Sequence, residues 1–320
     1  MAKKPVNPAK QVKSYSQMRK EFYKKYTDVI VPKVMEHEKT RKKKLILAIF
    51  LSSISFIAGC FLLYIIITHG GFTKKNEGII QLSIILYMFS YFSWYFSKKD
   101  FENKIKEKIM PTVCSCFGDM KWSEGSYSGG ELFARAGIVP EFSHSEYDDI
   151  FKGSYKDVHI EIVEPEYEVG SGKTRRTVFN GIIVKLDMNK SFAGHTVIKP
   201  NGLIHLSPLS QLHFTELEDP EFNKKFDVYT NNEVDARYLI TPSFMERLKN
   251  METAFFASNV SCAFYRKFLI VALKTNKDIF SICSLIKPID DREQYFRMYE
   301  EIVSIIKLID HFKLNQKIGL

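Results

Sequence analysis

Two stretches break with the mixed apolar and polar pattern of the rest of this chain. Residues 45–68 and 79–96 carry no charged side chain, and a polar segment, 69–78, separates them. A bilayer core about 30 Å thick needs about 20 apolar residues of helix. At about 1.5 Å per residue the two runs reach about 36 Å and about 27 Å. The pattern predicts a transmembrane helical hairpin. The first run begins too deep in the chain and is too long for a signal-peptide core, and uncharged runs of this length are unlike a soluble helical hairpin. Arg41, Lys42, Lys43 and Lys44 precede the pair, and Lys98 and Lys99 follow it beside Tyr91, Phe92, Trp94, Tyr95 and Phe96. Basic residues and aromatic rings of this kind sit at bilayer surfaces, so Arg41, Lys42, Lys43, Lys44, Trp94, Lys98 and Lys99 are expected as membrane-surface anchors. Both outer flanks are richer in lysine and arginine than the loop, which holds Lys74 and Lys75. Both termini are therefore expected on the cytoplasmic side of a cell (inner) membrane.

Helical periodicity continues on either side. Tyr15, Met18, Phe22, Tyr26, Val29 or Ile30, and Val34 recur as one face of an amphipathic helix. Phe101, Ile105, Ile109, Val113 and Cys116 or Phe117 form a second such face, with Pro111 expected to interrupt or kink it. The two stripes can pack as a stalk or lie flat on the bilayer. Tyrosine and lysine around much of the first helix favour the stalk.

Beyond a Gly/Ser-rich stretch, 121–130, expected as a hinge, the pattern changes to that of a globular domain. Glu131–Ala136 suggests a short helix. Val158, Ile160 and Ile162 alternate with polar residues as a strand. Residues 177–188 predict a second strand with Ile182, Val184 and Leu186 on one face, and Val197–Ile198 a further short one. Asp219-Pro220, Asn232 with Asp235, and Thr241-Pro242 read as starts of three helices, the first carrying Phe222 and Phe226 and the third turning Phe244, Met245 and Leu248 inward. Strands are expected again at 253–256, 260–264 and 268–273, with Tyr265-Arg266-Lys267 as a turn. Asp290 and Glu293 would cap a long last helix whose face is Tyr295, Tyr299, Ile302, Ile306 and Ile309, closing over the sheet. The expected architecture is a membrane-anchored α+β protein: a basic tail with an amphipathic juxtamembrane helix (1–44), the hairpin (45–68 and 79–96, within 45–96), a juxtamembrane helix (97–120), the hinge (121–130) and a cytoplasmic domain (131–320). That domain is a mainly antiparallel sheet with short helices and a long C-terminal helix.

Charge is unevenly placed. The chain has a net charge of +9. Residues 1–44 hold 14 Lys/Arg against 4 Asp/Glu, while the remainder holds 32 against 33. The basic character belongs to the anchor and suits anionic lipid headgroups. With no basic excess elsewhere, nucleic acid is not an expected partner. The five cysteines and eight histidines show no metal-ligand spacing, so no metal or other cofactor is expected.

Motifs that invite chemistry fail on inspection. Gly170-Ser-Gly-Lys-Thr174 has the tail of a phosphate loop, but the required first glycine is Tyr167 and a strand pattern follows. The acids at Asp148-Asp149 and at Glu216, Glu218, Asp219 and Glu221 are explained by capping and solvation. Ser143-His144 lacks a nucleophile elbow. No catalytic residue is assigned. Arg237, amid Val234, Ala236, Tyr238 and Leu239, is a candidate ligand position or internal ion pair, with Asp219 or Glu233 as possible partners.

The strings Asp149-Ile-Phe-Lys-Gly153, Val178-Phe-Asn-Gly181, Phe192-Ala-Gly194 with Thr196-Val197, Leu217-Glu-Asp-Pro-Glu-Phe222, Phe226-Asp-Val-Tyr229 and the stretch from Glu233 to Leu248 form a series. With the two-pass N-terminus it resembles, over about residues 15–310, a bacterial family of two-pass membrane proteins of unknown function. Ile240 and Ser243 stand where that family suggests Leu and Ala. The resemblance implies a membrane protein with a cytoplasmic domain and no reaction. The resulting expectation is a binding or scaffold module engaging a protein partner, a second copy or lipid headgroups. The alternatives are an enzyme for a membrane-associated or small polar substrate, joining His159, Arg237 and a carboxylate, and a transporter's accessory subunit using a stripe of Ser52, Ser55 and Gly59. A synthetic peptide of residues 1–44 is expected to bind vesicles containing anionic lipid and not neutral ones. That binding should weaken as salt is raised; co-sedimentation measures it.

Overall fold

The computed structural model describes residues 13–68, 77–188, 191–202, 211–254, 257–275 and 279–311. Residues 1–12 of the basic tail, most of the loop between the apolar runs and residues 255–256 of an expected strand lie outside the described residues. The chain divides into two compact units. A helical unit comprises 20–113 and 281–298, and a sheet unit comprises 1–19, 114–280 and 299–320.

In the helical unit, α1 (Tyr15–Lys25, completed from the sheet unit's first residues) leads into a π-helical turn, Tyr26–Ile30, then α2 (Val31–Met35) and α3 (Glu38–Thr68). Pro32 opens α2. Its ring crowds the carbonyl four residues back, and the widened turn before it accommodates that crowding. The turn also decides the register. Ile30, rather than Val29, continues the buried stripe of Phe22, Tyr26 and Val34. That stripe does have a helical partner, but a distant one. Phe22 meets Phe296 edge-on at 5.2 Å and Tyr26 meets Tyr295 at 5.5 Å. The Tyr26 hydroxyl donates to the Asp290 carbonyl at 2.9 Å. The first stripe is thus covered by a C-terminal segment, which the expectation of a stalk from two juxtamembrane helices did not include.

α4 (Glu77–Cys114) is one continuous helix through the second apolar run and the juxtamembrane stripe, where two helices were expected. Pro111 does not interrupt it. The proline lies in the last turn, where a lost backbone hydrogen bond and a short 3₁₀ turn, Ser115–Phe117, end the helix anyway.

Small residues close α3 onto α4. Ala48, Ser55 and Gly59 are buried on α3. The Ser52 hydroxyl donates to the Ser90 carbonyl at 3.2 Å and the Ser90 hydroxyl to the Ser52 carbonyl at 3.1 Å. A Cβ at Gly59 would stand 2.9 Å from the Tyr87 ring. Large side chains point the other way: Ile57 is 66% exposed, Ile67 68% and Phe96 62%.

The sheet unit is built on nine antiparallel strands among the described residues, in the order β1-β2-β3-β4-β9-β8-β5-β7-β6. The strands are β1 (Lys121–Ser123), β2 (His144–Tyr155), β3 (Val158–Val169), β4 (Arg176–Asp187), β5 (Thr196–Pro200), β6 (His213–Thr215), β7 (Phe226–Thr230), β8 (Asn259–Tyr265) and β9 (Phe268–Lys274). β1 lies in the stretch expected as a hinge and pairs as an edge with β2. Central strands are apolar on both faces: Ile182, Ile183 and Val184 of β4, and Leu269 to Leu273 of β9, are all buried. Sheets covered on both sides read this way. Lys156 and Asp157, both at positive φ, turn β2 into β3. Gly170–Thr174 does the same between β3 and β4, with a 3₁₀ turn, Gly172–Thr174, as a hairpin loop rather than a phosphate cradle.

α5 (Gly130–Arg135) sits between β1 and β2. Three short helices sit where their caps placed them: α6 (Pro220–Lys225), α7 (Glu233–Leu239) and α8 (Pro242–Ala254). The carboxylate of Asp219 accepts from the Glu221 and Phe222 amides, and the Asn232 side chain from the Asp235 amide. Phe226 was expected in α6 but opens β7, since the helix ends at Lys225. Thr253 and Ala254, expected in a strand, finish α8. The last helix, α9 (Arg292–His311), is capped by Asp291, one residue later than expected, whose carboxylate accepts from the Glu293 amide at 3.1 Å. Its face of Tyr295, Tyr299, Ile302, Ile306 and Ile309 is buried as expected. Residues 292–298 serve the helical unit. In the sheet unit, Tyr299 stacks on Phe117, and Asp310 accepts from Tyr15 and Lys156, each at 2.6 Å.

Gly181 has a φ of 152°, and a Cβ there would stand 2.1 Å from the Leu273 carbonyl oxygen. Gly181→Ala should destabilise the sheet unit by about 1–3 kcal/mol or more, read as a lower denaturant midpoint at unchanged slope.

Candidate functional site

The sequence places its candidates mainly at the basic end of the helical unit, and the structure sorts them. Arg41 is 5% exposed. Its guanidinium forks onto Glu38, with Nε and Nη2 donating at 2.8 and 2.7 Å, while Nη1 donates to the Leu285 carbonyl at 2.7 Å. Glu38 in turn accepts from the Ile289 amide at 3.4 Å. Arg41 is therefore a buried clamp and not a surface anchor. The planar fork of arginine matches a carboxylate while a further N–H reaches a carbonyl. The hydrogen bond to Arg41 holds the Glu38 carboxyl below the usual range, and the same bond raises the Arg41 pKa.

Lys42 and Lys43 are exposed, and Lys42 reaches Glu38 at 3.7 Å. Lys44 is paired with Asp100, which also takes Lys104 at 2.8 Å. Hydrogen bonds from Lys104 and Lys44 hold Asp100 low. Trp94 is half-buried, and Lys98 and Lys99 are exposed. Next to them Tyr91 stacks on Tyr95 and Phe92 on Phe96 along the outer face of α4.

In the sheet unit Arg237 does form an ion pair, but an exposed one. Its Nη1 reaches Glu218 at 2.7 Å and its Nη2 the Glu216 carbonyl at 3.0 Å, with the side chain 41% exposed. Asp219, one of the expected partners, takes Lys249 at 2.9 Å instead. His159 stands 3.5 Å from Glu161. His159 and Arg237 thus stand beside different carboxylates and are not brought together. Asp149 is fully buried and accepts from the Trp122 indole at 2.5 Å.

One polar group escaped the sequence reading. Glu161 accepts from Tyr127 at 2.6 Å and Lys185 at 2.7 Å, with Lys152 over the Tyr127 ring. Burial pushes its carboxyl up, but the bonds from Lys185 and Tyr127 outweigh burial and leave it lowered. Register places Lys152 and Lys185 on the strands either side of Glu161, and cross-strand neighbours of opposite charge pair in this way. The network is saturated, which suits a structural role.

Among the described residues no group of three or more His, Cys, Asp or Glu is placed to hold a metal ion. Cys114, Cys116, Cys262 and Cys283 are buried and unbridged. Burial pushes the Cys114 thiol up to about 12 and raises that of Cys262 as well. Such thiols are poor nucleophiles.

Removing Arg41 leaves Glu38, whose side chain is 15% exposed, with only the more distant, exposed Lys42 as counter-charge. Arg41→Gln is expected to cost about 1–3 kcal/mol, and Arg41→Lys to recover only part of it, both read by denaturant unfolding. Because Glu38 titrates lower in the folded state, its contribution is present above the unfolded carboxyl range and is lost as pH falls through the folded value. Stability should therefore fall more steeply on acidification in the natural chain than in Glu38→Gln.

No curated protein matches this chain. Among solved structures, the crystal structure of the mycobacterial trehalose monomycolate transport factor A, TtfA, is similar at a TM-score of 0.33 and 10% identity, covering 59% of this chain and 88% of that one. A likeness this slight carries over neither fold nor role. Residues 177–314, from β4 to beyond the end of α9, match the family model described as "Protein of unknown function (DUF3137)".

Proposed function

We propose that this protein is a membrane-anchored module whose sheet unit works at the inner membrane face, as a binding or scaffold element for a protein partner or lipid headgroups. The observation that carries the reading is the division of side chains on α3 and α4. Both helices are long and apolar enough to cross a membrane. Their small residues are turned inward onto each other, and Ile46, Phe50, Ile57, Phe61, Ile84, Ile85 and Phe96 are turned outward. An apolar surface of this extent is not stable in water, whereas hydrocarbon covers it without penalty. The seam of Ser52, Ser55 and Gly59 closes the hairpin itself, so it offers no free stripe for a second transmembrane protein.

The exposed lysines Lys42, Lys43, Lys98 and Lys99 lie just outside the apolar runs, on the side with both termini. That placement supports a cytoplasmic orientation. With the cysteine thiols buried and Glu161 and Arg237 already paired, the sheet unit's described residues favour binding over catalysis.

The full chain is expected to remain in the membrane pellet after alkaline carbonate extraction, and a reporter inserted between α3 and α4 should be active only outside the cytoplasm. Release into the supernatant would sink the anchor; a cytoplasmic reporter would invert the topology.

A further inference from the structure

Outside the two apolar runs, the helical unit exposes three large apolar side chains among the described residues: Tyr23, Met35 and Ile286. Tyr23 packs against Phe296 and lies under Arg292. Ile286 is 62% exposed, as much as Phe96 within the second run. It belongs to no helix or strand. It sits in the segment between β9 and α9, and the exposed Lys287 and Pro288 follow it.

Hydrogen bonds give this segment a level along the helices. α3 and α4 run antiparallel, with Ser52 bonded to Ser90, Lys44 to Asp100 and His37 to Lys108. Residues 283–290 attach to that ladder in order. The Cys283 thiol donates to the Glu102 carbonyl at 3.9 Å. The Leu285 and Ile286 carbonyls accept from Arg41 at 2.7 and 3.3 Å. The Ile289 amide donates to Glu38 at 3.4 Å, and the Asp290 carbonyl accepts from Tyr26 at 2.9 Å. From Arg41 to Glu38 to Tyr26 these contacts retreat from the apolar runs, so Leu285 and Ile286 lie nearer the runs than Ile289 and Asp290 do. Arg41 precedes Leu45 by about one helical turn, about 6 Å. A bilayer's headgroup layer has a similar depth, about 5–8 Å on each side.

Two further observations suit that depth. Backbone polar groups near hydrocarbon need partners within the protein. Here Arg41 serves two carbonyls, the Ser284 hydroxyl accepts from the Ile286 amide at 3.2 Å, and Glu38 accepts from the Ile289 amide. Charge agrees as well. Lys287 has a side chain 52% exposed, 3.4 Å from Asp291, and Lys42 and Lys43 beside Arg41 are exposed. An apolar side chain among lysines is suited to the surface of a bilayer with anionic headgroups.

We propose that the turn 284–288 is a third membrane contact of this chain, with the Ile286 side chain entering the headgroup–acyl boundary beside α3 and Lys287 lying among lipid phosphates. The proposal rests on the membrane-anchored reading above and adds to it a contact made by the far end of the chain. Arg41 holds the turn at that depth.

The test is photolabelling of the natural full chain in vesicles of phosphatidylcholine and phosphatidylglycerol that carry a lipid with an aryl diazirine high on its acyl chain. Adducts are mapped by mass spectrometry. They are expected on the outward residues of α3 and α4 and on 284–288, severalfold above the exposed Glu107 of α4, which lies about 16 Å beyond Phe96 along the same helix. In Ile286→Gln, adducts at 284–288 should fall severalfold while those on α3 and α4 stay unchanged. Labelled apolar helices with 284–288 no higher than Glu107 would overturn this proposal and leave the anchor standing. Absence of adducts from both would overturn the anchor reading and this proposal with it. The natural chain decides these outcomes, so none depends on whether a variant folds. Equal labelling of 284–288 in Ile286→Gln and the natural chain would overturn Ile286 as the inserted side chain.

Discussion

The helical unit depends on one long-range closure. An apolar stripe on the first helix is covered by residues that arrive only at the end of the chain, with Tyr26 and Asp290 bonded across 264 positions of sequence. Arg41 and Glu38 lock the same segment in place through the Leu285 carbonyl and the Ile289 amide. The pair of apolar helices is therefore not a free-standing hairpin. Its base is complete only when the C-terminal segment has returned to it, so folding of this unit carries a large loop-closure cost that local helix formation cannot offset alone.

This closure explains why a buried arginine is found where basic residues normally meet lipid. A guanidinium that satisfies a carboxylate and a backbone carbonyl together can be buried with its polar valences filled. A lysine can meet only part of that geometry, and its three lysine neighbours stay at or near the surface. The same principle separates the sheet unit's charges. Glu161 is half-buried and saturated by Tyr127 and Lys185, while Arg237 is paired at the surface.

Parts of the fold were legible because their causes are local. Caps at Asp219, Asn232 and Thr241 act within one helical turn, and alternation in β3 and β4 follows the two-residue period of a strand. The apolar runs needed no context at all. Other parts were not legible for equally physical reasons. β2 carries Asp148-Asp149 and Gly153 in a pattern that hides its period. Phe226 fits a helix or a strand until the end of α6 is set. Pro111 looks like a break until its place in the last turn is known. The partner of Arg237 depended on how the chain folds back, and Glu218, not Asp219 or Glu233, was within reach.

By itself the sequence determined the two apolar helices, the basic flanks and the α+β character of the rest, because each follows from composition or from a period of a few residues. The tertiary structure alone decided that Arg41 is a clamp, that the first helix packs on the last, and that Glu161 sits between two lysines. These are contacts between residues far apart in the chain. Register and burial create them, and neither is encoded in any short window of sequence.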